Sequence, residues 1–274
     1  MKLGYIDFIN CYPFYYHMFE KKPVEDVTIV PGYPGALNNL LSNSELDMSP
    51  ISSATCADIH EDLVLLPQFC LSSVGYVGSV TLVSNIPIEE LDKKKIGVTN
   101  ASHTSAVLLK ILLKKYYNAR PLYQTTGPRP QLEDFDAALL IGNDAMIKNA
   151  VPPTYSYDLG DLWLRKTGHP VVFAVFAIKK SSLDKHRSTI DLIISSYQQS
   201  LKCLKNEKTK VIKNAKQKYP DIIYDINNYY DLLKFEFTDE LKKALMFYFL
   251  EGANLNLIQR TENVTFYTGQ TLSC

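Results

Sequence analysis

Four short polar turns carry the side chains of this chain that are best suited to bind a small acidic molecule. Each turn follows an apolar segment with the composition of a β-strand, and ligands of parallel sheets bind just beyond the carboxyl ends of such strands. The residues concerned are Asn10, Ser52 and Ser53, residues 102–105, and residues 142–144. Each of these polar residues alone would more often cap a helix. Four such turns together favour a shared ligand cleft.

The turn at residues 102–105 has the clearest chemical meaning, because it joins an apolar strand at 96–98 to a helix that continues to residue 117. The first N–H groups of a helix have no partners inside the helix and lie at the positive end of its dipole. Such a helix start attracts a carboxylate or a phosphate. The side chains present there are Ser102, His103, Thr104 and Ser105. We therefore predict an anion site at this turn.

The charge balance favours a small-molecule partner over nucleic acid or a membrane surface. The chain has 29 basic and 29 acidic residues, so its formal net charge is zero. It therefore lacks the excess of basic residues that binds phosphate backbones. No apolar run approaches the roughly 18 residues of a membrane span, and no signal peptide precedes the first strand. We expect a cytoplasmic protein.

Neither a metal site nor a standard catalytic motif is visible in the sequence. The five cysteines and five histidines are scattered, without the Cys-x-x-Cys spacing of zinc sites. Nucleophile-elbow, Walker and dinucleotide-binding patterns are missing as well. Cys11 could act as a nucleophile, although a structural thiol is the commoner case and no His is placed to activate it. We expect no metal and no cofactor, and the oligomeric state stays open.

Strand-like and helix-like segments alternate over the first two-thirds of the chain, which predicts an α/β fold with mainly parallel strands. At 274 residues the chain exceeds the usual size of a single core, so we expect two lobes. The small residues at 73–79 suit a crossing from one lobe to the other. We predict that lobe 1 comprises residues 1–76 and 179–274, and that lobe 2 comprises residues 77–178.

Apolar periodicity locates the elements that position the polar turns. Strands are expected at residues 3–9, 27–30, 48–51, 63–67, 71–84, 96–98, 137–141 and 171–178, the last of these closing lobe 2. Helices are expected at residues 14–19 and 34–42, up to 117, from 144 onward, at 190–204, and at 238–249 with a stop at Gly252.

The polar turns and their neighbours form a series of motifs that resembles a known family. In order, the motifs are Phe8-Ile9-Asn10-x-x-Pro13, Pro50-Ile51-Ser52-Ser53, Ser72-Ser73 followed by Gly78-Ser79-Val80, Ser102-x-Thr104-Ser105-x-x-Leu108-Leu109, Leu140-Ile141-Gly142-x-x-Ala145, and Tyr157-Asp158-Leu159-Gly160-x-x-Trp163-x-x-x-Thr167-Gly168-x-Pro170-x-x-Phe173-Ala174. Together they resemble the menaquinone-biosynthetic chorismate dehydratases of the futalosine pathway. The chain departs from the family pattern where it has Phe8-Ile9 for Tyr-Leu and Ala54-Thr55-Cys56 for Ile-Glu-Tyr.

This resemblance implies a type II periplasmic-binding-protein-like fold, in which two α/β lobes surround a ligand cleft. It also implies a hydro-lyase that converts chorismate to 3-(1-carboxyvinyloxy)benzoate and water without a cofactor. Asn10 would then be the catalytic residue. The substrate-binding residues would be Ser52, Ser53, Ser79, Ser102, His103, Thr104, Ser105, Gly142 and Asp144.

Two other functions are compatible with the same fold. A plain solute-binding protein would capture a small carboxylate by lobe closure and carry out no chemistry. The absence of an export signal counts against this reading. The related lyase that acts on cyclic dehypoxanthinyl futalosine is the other alternative, but its first motif is Ser/Pro-rich around Asn-Asp and differs from Ile9-Asn10-Cys11-Tyr12-Pro13.

Overall fold

The computed structural model describes residues 1–147 and 152–269, which form two β-sheets surrounded by helices. The strands are, in chain order, β1 (Lys2–Ile6), β2 (Thr28–Gly32), β3 (Met48–Ser52), β4 (Leu63–Ser73), β5 (Val80–Ser84), β6 (Lys95–Thr99), β7 (Leu122–Thr126), β8 (Ala137–Ile141), β9 (Tyr155–Asp158), β10 (Val171–Lys179) and β11 (Leu233–Glu236). The α/β class expected from the sequence is confirmed.

Helices connect most of these strands. They are α1 (Tyr12–Glu20), α2 (Pro34–Ser42), α3 (Ser53–Ile59), α4 (His103–Ile111), α5 (Asn143–Met146), α6 (Leu159–Thr167), α7 (Leu183–Asn206), α8 (Lys208–Lys218), α9 (Ile226–Leu232) and α10 (Asp239–Asn254). A π-helical turn, Leu112–Tyr116, prolongs α4. None of the helices in the described residues is long and apolar enough to cross a bilayer.

The two sheets have the same internal order. The first sheet runs β11-β4-β10-β3-β1-β2, and the second runs β7-β6-β8-β5-β9. In the first, β1 is parallel to β2 and β3, whereas β10 is antiparallel to β3 and β4. In the second, β6 is parallel to β7 and β8, whereas β5 is antiparallel to β8 and β9. Each sheet thus contains a parallel trio followed by an antiparallel strand, which is β10 in the first sheet and β5 in the second. Beyond it lie β4 and β11 in the first sheet and β9 in the second.

The position of β10 differs from the sequence expectation. Its nine residues, Val171–Lys179, were expected to close lobe 2 near residue 178, but they lie in the first sheet between β3 and β4. All nine are buried, and an uninterrupted apolar run indicates a central strand without indicating which sheet contains it. We propose to divide the molecule into lobe 1, which contains the first sheet, and lobe 2, which contains the second.

Two segments connect the lobes and touch each other. The outgoing crossing is 74–79 and the returning crossing is 159–170. A Cβ atom on Gly160 would lie only 2.4 Å from the carbonyl oxygen of Gly75, so the close approach of the two backbones requires glycine at position 160.

The carboxylate of Asp158 links the two crossings through hydrogen bonds. It accepts hydrogen bonds from the backbone N–H groups of Val77 and Gly78 on the outgoing crossing, the shorter measuring 2.7 Å. The same side chain caps α6 by accepting from the Asp161 N–H group at 3.0 Å. Because burial outweighs these hydrogen bonds, the pKa of Asp158 is raised.

Aromatic packing fixes the helix that follows the Asn10 turn. Pro13 lies in the first turn of α1, where its missing N–H group has no structural cost. The Phe14 ring is centred 4.4 Å from the ring of Phe176 in β10 and 5.3 Å from that of Phe235 in β11. These contacts join α1 to the centre of the first sheet and hold Asn10 at its edge.

Several element boundaries were predicted wrongly. The first strand ends at Ile6 instead of residue 9, and the helix expected from residue 144 begins one residue earlier, at Asn143. The last helix continues through Gly252 to Asn254. A Cβ atom on Gly252 would lie 2.8 Å from Ile258 Cδ1, so this glycine serves close packing and does not end the helix.

Candidate active site

A small cavity lies between the two lobes, where the ends of their strands face each other. Its volume of about 40 Å³ has room for only a few water molecules. Polar groups come from five residues: Asn10, Ser52, Ser79, Ser102 and Ser105. The remaining surface is apolar and includes Phe8, Pro34, Leu71, Ile141, Gly142, Phe173 and Leu233. None of the lining residues in the described chain is charged, so a ligand meets only neutral hydrogen-bonding groups.

Asn10 presents an unpaired acceptor at this cavity. Its side chain is 92% buried, and its Oδ1 atom has no hydrogen-bond partner within the described residues. The neighbouring backbone is held on both sides, because Ile9 N–H donates to Asn143 Oδ1 at 2.9 Å and Tyr230 donates to the Ile9 carbonyl at 3.0 Å. A buried acceptor without a partner destabilises a fold by about 1–3 kcal/mol, which makes it a candidate ligand contact.

Ser79 faces the same cavity from the outgoing crossing. The hydroxyl of Tyr229 donates to Ser79 Oγ at 2.8 Å, and both side chains are buried. The Ser79 carbonyl accepts a 2.7 Å hydrogen bond from the Gly142 N–H group. Tyr229 could not be predicted from the sequence, because it lies 150 residues from its partner and no nearby motif marks it.

The paired serines after β3 have different environments. Ser52 lines the cavity and is held by Asn38, whose Nδ2 donates to Ser52 Oγ and whose Oδ1 accepts from Ser52 N–H, both at 3.0 Å. Ser53 is fully buried outside the lining, and its hydroxyl donates to the Val172 carbonyl at 2.6 Å. Ser52 can therefore contact a ligand, whereas Ser53 joins α3 to β10. Asn38 was another residue missed at the sequence level.

Two of the four residues at the start of α4 face the cavity. Ser102 is the N-cap: its Oγ accepts from Ser105 N–H at 3.3 Å and donates to Ser105 Oγ at 3.0 Å. Because Ser105 Oγ accepts this proton, its own proton is available to a ligand. The helix therefore offers the Ser105 hydroxyl together with its first backbone N–H groups to an anion.

Thr104 and His103 point elsewhere, which corrects the expectation that all four residues bind a ligand together. Thr104 is fully buried, donates to the Phe173 carbonyl at 2.9 Å and accepts from Ala54 N–H at 3.2 Å. His103 Nδ1 lies 3.2 Å from Thr55 Oγ1 on the other side of the helix. Thr104 thus connects the lobes, and neither side chain belongs to the cavity lining.

The environment of His103 favours a neutral imidazole. Burial lowers the pKa of His103, and the charge of Lys110 lowers it further. The Asp58 carboxylate, 3.7 Å from Nδ1, acts in the opposite direction. His103 is therefore a half-buried contact of α3 with α4 outside the cavity.

The turn after β8 contributes its backbone to the cavity. Gly142 has φ near +55°, and a Cβ atom there would lie 2.3 Å from the Phe8 ring, so only glycine fits. Asp144 does not line the cavity, although its Oδ2 atom is buried without a hydrogen-bond partner in the described residues. Burial raises the pKa of Asp144, while Arg129 partly offsets the shift.

The structure offers little support for nucleophilic or metal chemistry at this site. Cys11 is fully buried, and burial raises the pKa of its thiol, which suppresses the reactive thiolate. Within residues 1–147 and 152–269, no three His, Cys, Asp or Glu side chains come together as metal ligands would. The arrangement instead suits the binding of an anion at α4 and of a hydrogen-bonding group at Asn10.

Solved structures with the same architecture include substrate-binding proteins. The periplasmic aliphatic sulphonate binding protein of Escherichia coli superposes with a TM-score of 0.64 at 15% identity, covering 100% of this chain and 95% of its own. The alkanesulfonate-binding protein of Xanthomonas axonopodis pv. citri, solved bound to MOPS, has a TM-score of 0.65 at 12% identity, with coverages of 96% and 95%. A Candida albicans protein with the generic periplasmic binding protein fold has a TM-score of 0.60 at 14% identity, with coverages of 100% and 99%. The expected fold is confirmed.

Sequence comparisons identify the family. A chorismate dehydratase from Thermus thermophilus is 31% identical over an alignment of 176 residues that covers 58% of this chain. The match spans 64% of the length of that relative. The family model described as menaquinone biosynthesis matches residues 1–254, in agreement with the resemblance noted from the motifs. The chain belongs to this menaquinone biosynthesis family.

Proposed function

We propose that this protein is a cytoplasmic chorismate dehydratase that forms 3-(1-carboxyvinyloxy)benzoate and water in the futalosine route to menaquinone. The observation that carries this proposal is the cavity itself. It joins an unpaired acceptor on Asn10 to the hydroxyls and helix start of α4, with no charged lining residue in the described chain. Membership of the menaquinone biosynthesis family and the similarity to the Thermus thermophilus enzyme support the same conclusion.

The reaction is an elimination driven by aromatisation. The C–H bond of the ring carbon that bears the enolpyruvyl ether breaks, and its electron pair forms the new ring double bond. The C–O bond of the neighbouring carbon breaks, and the departing hydroxyl combines with the removed proton to form water. The ring substituents of chorismate are trans, so the departing proton and hydroxyl lie on one face. A single polar edge of the cavity is therefore sufficient to handle both groups.

The start of α4 is the proposed site of the ring carboxylate. The departing proton is vinylogous to that carboxylate, so stabilising negative charge on the carboxylate acidifies the C–H bond. The Ser105 hydroxyl and the helix N-terminus are neutral donors suited to this task. They bind the anion without requiring a buried cation.

Asn10 and Ser79 are proposed to hold the leaving hydroxyl across the cavity. An amide is a poor base, so Asn10 positions the hydroxyl and does not itself remove the ring proton. Since no lining residue in the described chain ionises near neutral pH, the proton acceptor is a water molecule or a carboxylate of the substrate.

Incubation with chorismate provides the test. Mass spectrometry should detect a product lighter than chorismate by one water, with an aromatic absorption spectrum, in buffer that contains a metal chelator. The product should form in proportion to enzyme concentration, and heat-inactivated protein serves as the control. Binding of chorismate without turnover would instead support a solute-binding protein and overturn the proposal.

A further inference from the structure

Tyr229 contacts both side chains that are proposed to hold the leaving hydroxyl, although it is not itself a lining residue. Its hydroxyl donates to Ser79 Oγ at 2.8 Å. Burial raises the pKa of Tyr229, and hydrogen bonding with Ser79 and with the Asn10 side chain partly offsets this shift. Its ring is fully buried between Tyr224 and Tyr230, which lie on either side with ring centroids 6.1 Å away. Tyr229 is therefore a rigid group behind the polar edge of the cavity.

These contacts determine which atoms of Asn10 and Ser79 remain for a ligand. Asn10 Oδ1 is the buried atom that has no partner in the described residues, so it stays available to a ligand as an acceptor. Ser79 Oγ accepts the proton of Tyr229, so its own proton stays available.

We infer that Tyr229 is a positioning residue that sets the hydrogen-bond polarity of the cavity, with an acceptor at Asn10 and a donor at Ser79. This inference rests on the proposed function and deepens it. A substrate hydroxyl matches the pair, because it can donate to Asn10 Oδ1 and accept from Ser79 Oγ. When the C–O bond breaks, the Ser79 donor faces the oxygen that gains negative charge. A carboxamide rotated by half a turn would present NH₂ and lose this match.

Replacing Tyr229→Phe removes the hydroxyl and keeps the ring. We expect kcat to fall by about 10- to 100-fold while KM for chorismate changes little, because the reacting groups are misoriented and the carboxylate site is untouched. Tyr197→Phe is the matched control: Tyr197 is also fully buried and donates at 2.8 Å to another hydroxyl, that of Tyr15, and neither tyrosine lines the cavity. The control should lose comparable thermal stability and retain its kcat.

A double-mutant cycle separates positioning from general damage. If Tyr229 acts in part through Asn10, then adding Tyr229→Phe to Asn10→Ala should reduce kcat by a smaller factor than Tyr229→Phe does in the wild type. A loss in the double variant that equals the product of the two single losses would overturn the inference. An unchanged kcat in Tyr229→Phe alone would overturn it as well.

A measurement on the unaltered protein covers the case in which Tyr229→Phe does not fold. In NMR spectra of isotope-labelled protein, the carboxamide protons of Asn10 should show nuclear Overhauser contacts to the Tyr229 ring. Contacts to Phe8 or Phe173 instead would mean that Nδ2 faces the cavity, contrary to the inference. If the wild-type protein proved inert toward chorismate, the proposed function would fail while this measurement still decided the orientation.

Discussion

The polar groups on the two sides of the cavity differ in their hydrogen bonding. On the lobe 1 side, Asn10 Oδ1 is buried without a partner in the described residues. On the lobe 2 side, Ser102 and Ser105 are hydrogen-bonded to each other, and Thr104 is hydrogen-bonded across to lobe 1. Since an unpaired buried group destabilises the fold, its retention at Asn10 indicates a ligand contact. On the lobe 2 side, the proton of Ser105 Oγ stays available to a ligand, whereas Thr104 is explained by structure alone. The same distinction separates Asn10 from Asn38, whose amide is paired on both sides.

The largest expected effect is that of Asn10→Ala. We predict a decrease in kcat of about 100-fold or more, because the group that orients the leaving hydroxyl is removed. The free energy of unfolding should fall by no more than about 1 kcal/mol, since Oδ1 has no partner in the described residues and only the contact of the side chain with Tyr229 is lost. Steady-state kinetics and denaturant unfolding measure the two quantities.

Asn38→Ala is the matched control for Asn10→Ala, because it removes a buried asparagine whose amide is hydrogen-bonded on both sides. It removes two hydrogen bonds to Ser52 and leaves a buried N–H group unpaired, which should lower the free energy of unfolding by about 1–3 kcal/mol. A parallel loss of stability and activity in Asn10→Ala would assign Asn10 a structural role and remove the contrast.

Ser105→Ala tests the lobe 2 side. Loss of one donor to a substrate carboxylate should weaken the binding of chorismate and of the aromatic product by about 10-fold or more. The cap survives, because Ser102 Oγ still accepts from the backbone N–H of residue 105. Isothermal titration with product measures the effect, and equal affinity of variant and wild type would reduce this turn to an ordinary helix cap.

Thr104→Val should lower stability and leave ligand affinity unchanged, which is the opposite of the effect expected for Ser105→Ala. The change leaves the Phe173 carbonyl and the Ala54 N–H group without their buried partner, so unfolding should require about 1–3 kcal/mol less. Affinity for product should stay close to that of the wild type, because Thr104 is not part of the cavity lining. Ligand binding weakened as strongly as in Ser105→Ala would show that Thr104 reaches the substrate.

The smallest effect concerns pH and His103. Its pKa is lowered in the folded state from 6.5, so below that pH the unfolded chain binds more protons than the folded chain. The stabilisation is present above the unfolded pKa and is lost as the pH falls from there toward the folded pKa. A glutamine at position 103 does not titrate. The urea midpoints of unfolding of the wild type and of His103→Gln should therefore diverge between about pH 7 and pH 5, with the wild-type midpoint falling further. Parallel curves would contradict the predicted shift.

The sequence predicted the polar groups of the cavity better than it predicted their orientation. Asn10, Ser52, Ser79, Ser102 and Ser105 all line it. The spacing of three between Ser102 and Ser105 could have shown that they share a helix face. Thr104, one residue before Ser105, lies about 100° around the helix axis from it.

Other features depend on contacts between distant parts of the chain. The placement of β10 follows from pairing with β3 and β4, and no local pattern encodes that pairing. Tyr229 belongs to a short C-terminal helix whose aromatic and amide residues carry no motif. Its role is visible only when the fold brings it to Ser79. Long-range pairing of this kind is determined by the whole core, which explains why periodicity alone missed it.

The hydrogen bonds of Asp158 have a consequence for the relative movement of the two lobes. Because one carboxylate holds backbone amides of the outgoing crossing and also caps α6 on the returning one, the two connections are joined at one residue. Two connections joined in this way have less independent torsional freedom than two separate ones, so we expect any opening of the cleft to occur about one shared axis. We expect the opening angle to determine how large a molecule enters, and the polar groups on the two sides to return to the same positions when the cleft closes.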